Sequence, residues 1–486
     1  MKNLIILILF FCCILKSNSQ NIKFDNSSIT KYIGTPSFIG KNDSLFFVKF
    51  INDVKSYKTG FVIKAIRHKD MSVVYEKKII PPKIDNRKTI IKSVMYLNGK
   101  ICLFSSLHDK KTKQNKIYVN TINSKGLINK NPILIHTKDI ENKNYYLFRK
   151  SKDRNSILCC YWDTKNEKKP TFNCKAINSK LNTLWEKNVE VPFTKDIHID
   201  VNGNLLFLNT VMENDKKATN YHYELYSYNY KNNDINKALI EYGNNNIYDV
   251  KINFDNKNDI IVAGLYSNTA SFKKKTFFYG SGHRKPDGFF ISKFSSILLD
   301  DKKTNFFSFD SIPENENLGD FHIKSLITNS SNDIIISAEQ QTFYTISGNI
   351  KSGTPSTTTY NYNDVIISSF SSNTEPKWIV RIDKLQEDNS TRLLSYFKLS
   401  NLDNTIIIYK LDKREKSISV NTINNFGALK TTELNNSTLN INKENYSSKI
   451  VRKGLKLELK NSLKIAENQI ISFNYDLNKF VKLTLD

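Results

Sequence analysis

Val250-Lys-Ile-Asn-Phe254, Asp255-Asn-Lys-Asn-Asp259, Ile260-Ile-Val-Ala-Gly-Leu-Tyr266 and, after a polar insert, Asp287-Gly-Phe-Phe-Ile-Ser-Lys-Phe294 decide the fold. The first run alternates apolar and polar residues, as a strand with one covered face does. The Asp/Asn cluster that follows supplies residues that tolerate turn dihedrals. The next run is continuously apolar, which suits a strand covered on both faces. The last run is aromatic and β-branched, again strand-forming. Strand, tight turn, strand, loop, strand make up most of a four-stranded antiparallel unit.

Weaker copies run along the chain. The first has Leu45–Phe50 after the turn at Lys41–Asp43. The second has Ser93–Tyr96 and Ile101–Phe104 around Asn98-Gly99, a strong two-residue hairpin signal. The third is centred on Ile157–Tyr161, the fourth on Asp200-Val-Asn-Gly-Asn204 and Leu205–Leu208. The sixth holds Ile334–Ile336, the seventh Ile406–Ile408 and the eighth Ile470–Phe473. The turns recur roughly every 50 to 75 residues, the signature of blades in a ring. Such strands have two apolar faces that neighbouring blades must cover. The expected fold is therefore all-β: a single closed β-propeller of seven or eight four-stranded blades. The eighth unit stops after three strands, so an N-terminal strand, Ile22-Lys-Phe24, is expected to complete the last blade.

With 30 Phe and 24 Tyr in 486 residues, strands are favoured, and no long segment has apolar residues at helical spacing. The formal net charge is +25, but the basic residues are scattered. They form no aromatic-interleaved stripe, which argues against a nucleic-acid partner. Met1-Lys2, an apolar stretch from Leu4 to Leu15, and Ser17-Asn18-Ser19 read as a signal peptide. This gives residues 1–19 as signal and 20–486 as the propeller domain, exported after cleavage near Ser19-Gln20 to the periplasm, cell surface or beyond. No transmembrane segment is expected in the mature chain.

The fifth unit resembles the bacterial β-propeller repeat called SBBP. That pattern runs Asp-x-x-Gly-Asn, a strand ending in Gly, a loop, then Asp-x-Phe-aliphatic-x-Lys. Asp255–Asp259, Val262-Ala-Gly264 and Asp287–Lys293 carry it here, with Asn258 where Gly is usual; Asp200–Asn204 matches the turn more closely. The signal peptide ending before Gln20 and the Asn/Lys/Ile bias are similar to exported proteins of the Bacteroidetes. The resemblance implies fold and export rather than an activity.

Two inserts break the spacing, both between second and third strands: Ser267–Pro286 and Gln341–Tyr362. Such loops on a rigid scaffold commonly carry binding, and Tyr, Phe and Arg anchor interfaces. The candidate partner-binding residues are Phe277, Phe278, Tyr279, His283, Arg284 and Lys285 in the first insert, and Phe343, Tyr344 and Tyr360 in the second. The bland reading is a pair of tolerated surface insertions. Asp196, His198 and Asp200 alternate along one strand and raise the question of a ligand on one face, against the plainer reading of a paired polar stripe. Cys160 and Cys174 flank a polar turn and fall near each other if it closes a hairpin, so they form either a disulfide or two buried thiols. No motif for a catalytic residue, metal or cofactor is present. The reading is a non-catalytic binding or scaffolding module with a protein or polysaccharide partner at the cell envelope. The other reading is an extracellular polysaccharide-active hydrolase or lyase on the same scaffold.

Overall fold

The computed structural model describes residues 35–51, 56–129, 131–139, 146–163, 171–190, 196–214, 219–241, 246–268, 285–295, 297–312, 319–348, 355–389, 395–400, 404–410, 417–434, 457–474 and 479–484. Ile22–Phe24 and the signal segment lie outside them. Among the described residues the fold is all-β, apart from short 3-10 turns and one helical turn, Ser56–Thr59.

Eight antiparallel sheets of three or more strands, numbered here 1 to 8, follow one another along the described residues, with a two-stranded ribbon (Lys83–Ile84 and Arg87–Lys88) between sheets 1 and 2. Their first strands begin at residues 35, 90, 146, 196, 246, 321, 396 and 463. Sheets 1 to 7 are meanders of four consecutive strands, sheet 6 carrying one extra short strand, and sheet 8 has three. Burial explains the order. The second strand of sheet 5, Ile260–Ser267, is buried throughout, whereas its fourth, Lys302–Ser308, has no buried residue. The middle strands thus lie between neighbours and the fourth strand is the solvent edge. The fourth strand of sheet 4, Asp234–Ile240, is such an edge, and its polar sequence hid it from the pattern reading.

Alternate side chains of each sheet enter two different cores. In sheet 4, Leu205 and Phe207 pack on sheet 3, while Leu206 and Leu208 pack on sheet 5. The same division joins sheets 1 and 2, 2 and 3, 5 and 6, 6 and 7, and 7 and 8. An eighth core joins the last sheet to the first: Phe46, Val48, Phe50, Val62 and Ile66 with Ile471, Phe473 and Phe480. This is the packing of a β-propeller, in which each blade is covered only by its neighbours.

The turns are built alike. The Asp255 N–H donates to Asp259 O (3.0 Å), its Oδ1 accepts from the N–H groups of Lys257 and Asp259 (both 2.8 Å), and Asn258 N–H returns to Asp255 O (3.3 Å). Asn123, Asn178, Asp200, Asn329 and Asn424 hold the same backbone turn, and Ser151 and Ser371 replace the carboxamide with a hydroxyl. The fourth residue of each turn is left-handed, with φ of 77° at Gly126, 89° at Gly203, 71° at Asn258 and 65° at Asn332. Gly and Asn suit that region and fill it in five of the eight turns, while Arg154, Leu181 and Thr374 adopt it in the others (φ 60°, 70° and 71°). Asn98 and Gly99 also have positive φ (34° and 83°) in the two-residue turn of sheet 2.

These turns join strands 1 to 2 or 3 to 4, so a meander places them all at one end of the sheets. The strand 2–3 loops and the inter-sheet connections lie at the other end, the loop face. The turn end is cross-tied. Arg154 of sheet 3 donates to Lys41 O of sheet 1 (2.9 Å), and Lys152 donates to Asn256 Oδ1 of sheet 5 (2.6 Å).

Candidate functional site

The loop face of sheet 6 carries the most elaborate arrangement. The Gln341–Tyr362 insert is not an irregular loop, as the sequence suggested. The second and third strands, Ile334–Ile346 and Thr357–Phe370, continue past the sheet as a paired hairpin from Gln341↔Tyr362 to Ile346↔Thr357. The alternating Thr, Tyr and Phe residues sustain the pairing, since β-branched and aromatic cross-strand pairs stabilise strands. Phe343 lies opposite Tyr360, with ring centroids 6.3 Å apart. Phe343 is 50% exposed on one face of the hairpin, and Tyr344 (47%) and Ile346 (64%) are exposed on the other. A short strand, Glu387–Asp388, pairs with Tyr360 and Asn361 and braces one edge of the hairpin.

At the hairpin's base a cleft of about 620 Å³ is lined by Gln340, Asn363, Asp364, Arg381, Asp383, Lys384 and Leu385. The Arg381 guanidinium holds Asp364 Oδ2 through both Nε (3.0 Å) and a terminal nitrogen (2.6 Å). Asn363 Oδ1 is buried and accepts no hydrogen bond.

Behind the cleft lies a fully buried ion pair, Lys384 Nζ to Glu339 Oε1 at 2.9 Å. Glu339 Oε2 also accepts from Ser395 Oγ (2.8 Å) and Gln341 Nε2 (2.9 Å) and lies 3.3 Å from Lys324 Nζ. Lys384 further donates to Tyr362 O and Gln386 Oε1. Burial lowers the Lys384 pKa, with Glu339 opposing that shift, and burial raises Tyr362. Sequence reasoning missed this cluster because lysines are everywhere in the chain. The available signal was Glu339 itself, a carboxylate ending the run Ile334-Ile-Ile-Ser-Ala.

Of the expected site residues, Phe343 and Tyr360 meet on one face of the hairpin and Tyr344 lies on the other, Lys285 is exposed just before the third strand of sheet 5, and Phe277, Phe278, Tyr279, His283 and Arg284 lie outside the described residues. Asp196, His198 and Asp200 do not form one ligand face. His198 Nε2 contacts Asp196 Oδ1 (2.8 Å), and Asp196 Oδ2 accepts from Ile252 N–H of the next sheet. Asp200 lies past the strand end, buried as the acceptor of its own turn. The register puts Cys160 directly opposite Cys174, with Sγ atoms 3.3 Å apart and both present as thiols. Burial raises the pKa of both, and pushes Cys102 up to about 11. Among the described residues no group of three His, Cys, Asp or Glu side chains gathers to hold a metal, and no helix is long and apolar enough to cross a membrane.

No family model and no curated protein matches the sequence, so the SBBP-type repeat is not confirmed by one. Among solved structures the chain is similar to the β-propeller domain of the Trilobed protease from Pyrococcus furiosus (TM-score 0.38, 10% identity, 86% of this chain and 99% of that one). It is also similar to the Dos1 propeller (TM-score 0.35, 9% identity, 78% and 83%). A eukaryotic initiation factor matches at TM-score 0.38 and 10% identity over 84% and 90%.

Proposed function

We propose that this chain is an exported binding or scaffolding module, and that its partner, a protein or polysaccharide of the cell envelope, docks on the loop face at the sheet 6 hairpin. The observation that carries this reading is the projecting hairpin itself, which holds Phe343, Tyr344 and Ile346 half exposed beside a polar cleft. Large aromatics held out on a paired scaffold lose little conformational freedom on binding, so more of their contact energy is realised.

The finer architecture belongs to the same proposal: a closed ring of eight blades of the SBBP type, its last blade completed by Ile22–Phe24 from the N-terminus. The eight inter-sheet cores support closure, the core between sheets 8 and 1 above all. The three-stranded sheet 8 leaves Lys479–Thr484 as the strand on which a fourth would pair. Removal of residues 1–19 after export is supported by the short apolar stretch and small-residue site.

The test joins Thr342 to Asn361 through an Asn-Gly turn, removing 343–360 while keeping the paired ends. Capture of a cell-envelope component by the intact protein and its loss in the shortened variant supports the reading. Equal capture by both refutes the placement. N-terminal sequencing of the native protein should begin at Gln20, and finding Met1 refutes export by cleavage.

A further inference from the structure

The first strands of sheets 6 and 7 carry a second polar cluster, separate from the cleft and from the hairpin. Lys398 Nζ donates to Ser325 Oγ over 3.0 Å. Ser325 Oγ is hydrogen-bonded to Ser337 Oγ, and Tyr396 OH donates to Ser337 Oγ at 2.7 Å. Ser337 is fully buried and Tyr396 nearly so, while Ser325 and Lys398 are half-buried.

Lys398 is the anomaly. Lys384 and Lys324 share a buried carboxylate, Glu339. Among the described residues Lys398 has no ion pair, and its polar partner is a serine hydroxyl. The charged groups on the elements packed around it are accounted for: Lys324 and Glu339 of sheet 6 pair with each other, and Glu458 and Lys460 lie in the segment before sheet 8. A half-buried ammonium without a counter-ion is costly and readily gives up its proton. Burial alone holds the Lys398 pKa down at about 7.

Proton counting then orders the cluster. The phenol of Tyr396, whose pKa burial raises, places its one proton on Ser337. Ser337 has its own proton to give to Ser325. With the Ser337 hydroxyl donating, Ser325 is left free to direct its own proton at Lys398 when that amine is neutral. This is a nucleophile held against a base, with the nucleophile oriented by a third group.

We propose that Ser325 and Lys398 form a nucleophile–base pair that accepts an acyl group from a carboxylic ester. The neutral Lys398 amine takes the Ser325 Oγ proton as the Oγ–C bond forms at the ester carbonyl. The tetrahedral adduct collapses, the C–O bond to the alcohol breaks, and the departing alkoxide takes the proton back from Lys398. Water, deprotonated by the same amine, then adds to the acyl-serine. The Oγ–C bond breaks, Ser325 recovers the proton, and a carboxylic acid leaves. This activity goes beyond a binding role and does not rest on the hairpin. It revises the expectation of a chain without catalytic residues.

The test uses the full chain and p-nitrophenyl acetate as probe, read by intact mass and peptide mapping. The expected result is one acetyl group on Ser325, formed faster as pH rises through about 7 and absent in Ser325→Ala. Lys398→Met should slow acetylation about 100-fold or more and remove the pH dependence near 7. A structural role alone would move neither readout. Circular dichroism and the urea midpoint of both variants establish that they are folded. The proposal is overturned by folded wild-type protein that acquires no acetyl at Ser325, by acetyl found on Lys398 instead, or by Lys398→Met reacting at the wild-type rate.

Discussion

Lys384→Met tests the buried charge cluster that shapes the base of the hairpin. Lys384 and Glu339 both have fully buried side chains, 2.9 Å apart. At an effective dielectric near 20, two charges at that separation attract by about 6 kcal/mol. Much of this is offset, because the methionine no longer has to desolvate an ammonium. Removing one partner of a buried pair costs about 3–5 kcal/mol. The lower end applies here, since Glu339 keeps Lys324 at 3.3 Å and the hydrogen bonds from Ser395 and Gln341. The expected loss is about 3 kcal/mol, read as a fall in the urea midpoint with the slope unchanged. Glu339→Leu alone strands two lysines and should cost at least as much. The double variant removes the pair together, so it should cost about 2 kcal/mol less than the sum of the singles. A single-variant loss below about 1 kcal/mol, or strict additivity in the cycle, would refute the assignment of Glu339 and Lys384 as a mutually dependent pair.

Three further outcomes follow from packing. Gly288→Ala puts a Cβ 2.2 Å from Phe307 O and 2.6 Å from the Tyr266 ring, whereas Gly99→Ala meets nothing within 4 Å and bears only its positive φ. The first should cost about 2–3 kcal/mol and the second about 1, and equal unfolding midpoints would contradict this. Phe480 packs its ring against Phe38, Phe46, Phe50 and Phe473 across sheets 8 and 1. Phe480→Ala should cost about 3–5 kcal/mol and expose both chain ends to limited proteolysis, which an unchanged cleavage pattern would disprove. Cys160 and Cys174 stand opposed closely enough to be bridged where the compartment is oxidising. Protein recovered from an oxidising compartment should then weigh about 2 Da less than its reduced form, and this difference should vanish in Cys174→Ser; two free thiols there would rule the bridge out.

Local pattern carried the fold because each turn and strand answers a local requirement. Asp200-Val-Asn-Gly-Asn204 is readable as a turn because its first residue accepts the Asn204 N–H and its fourth needs positive φ. Gly264 and Gly288 have a packing reason: each sits opposite an aromatic residue, Phe290 or Tyr266, whose ring occupies the space of a Cβ. Edge strands were harder to read. Asp234–Ile240 owes its conformation to pairing with Tyr223–Asn229 rather than to its own sequence. The site residues were least legible. Glu339 comes from sheet 6 and Lys384 and Ser395 from the segment between sheets 6 and 7, and Ser325 and Lys398 are 73 residues apart. Their proximity is a product of blade packing, which no spacing along the chain encodes. The hairpin was seen as an insert, but its strand character depends on the register set by Ile334–Glu339 below it.

The most direct test of the account is hydrogen–deuterium exchange on the full-length protein, with and without the envelope component that the proposed docking reading expects it to capture. Protection is predicted at 341–348, 355–362 and 383–388, on the loop face of sheet 6. Protection confined to the turn end, at 151–156, 200–204 and 255–259, would contradict it.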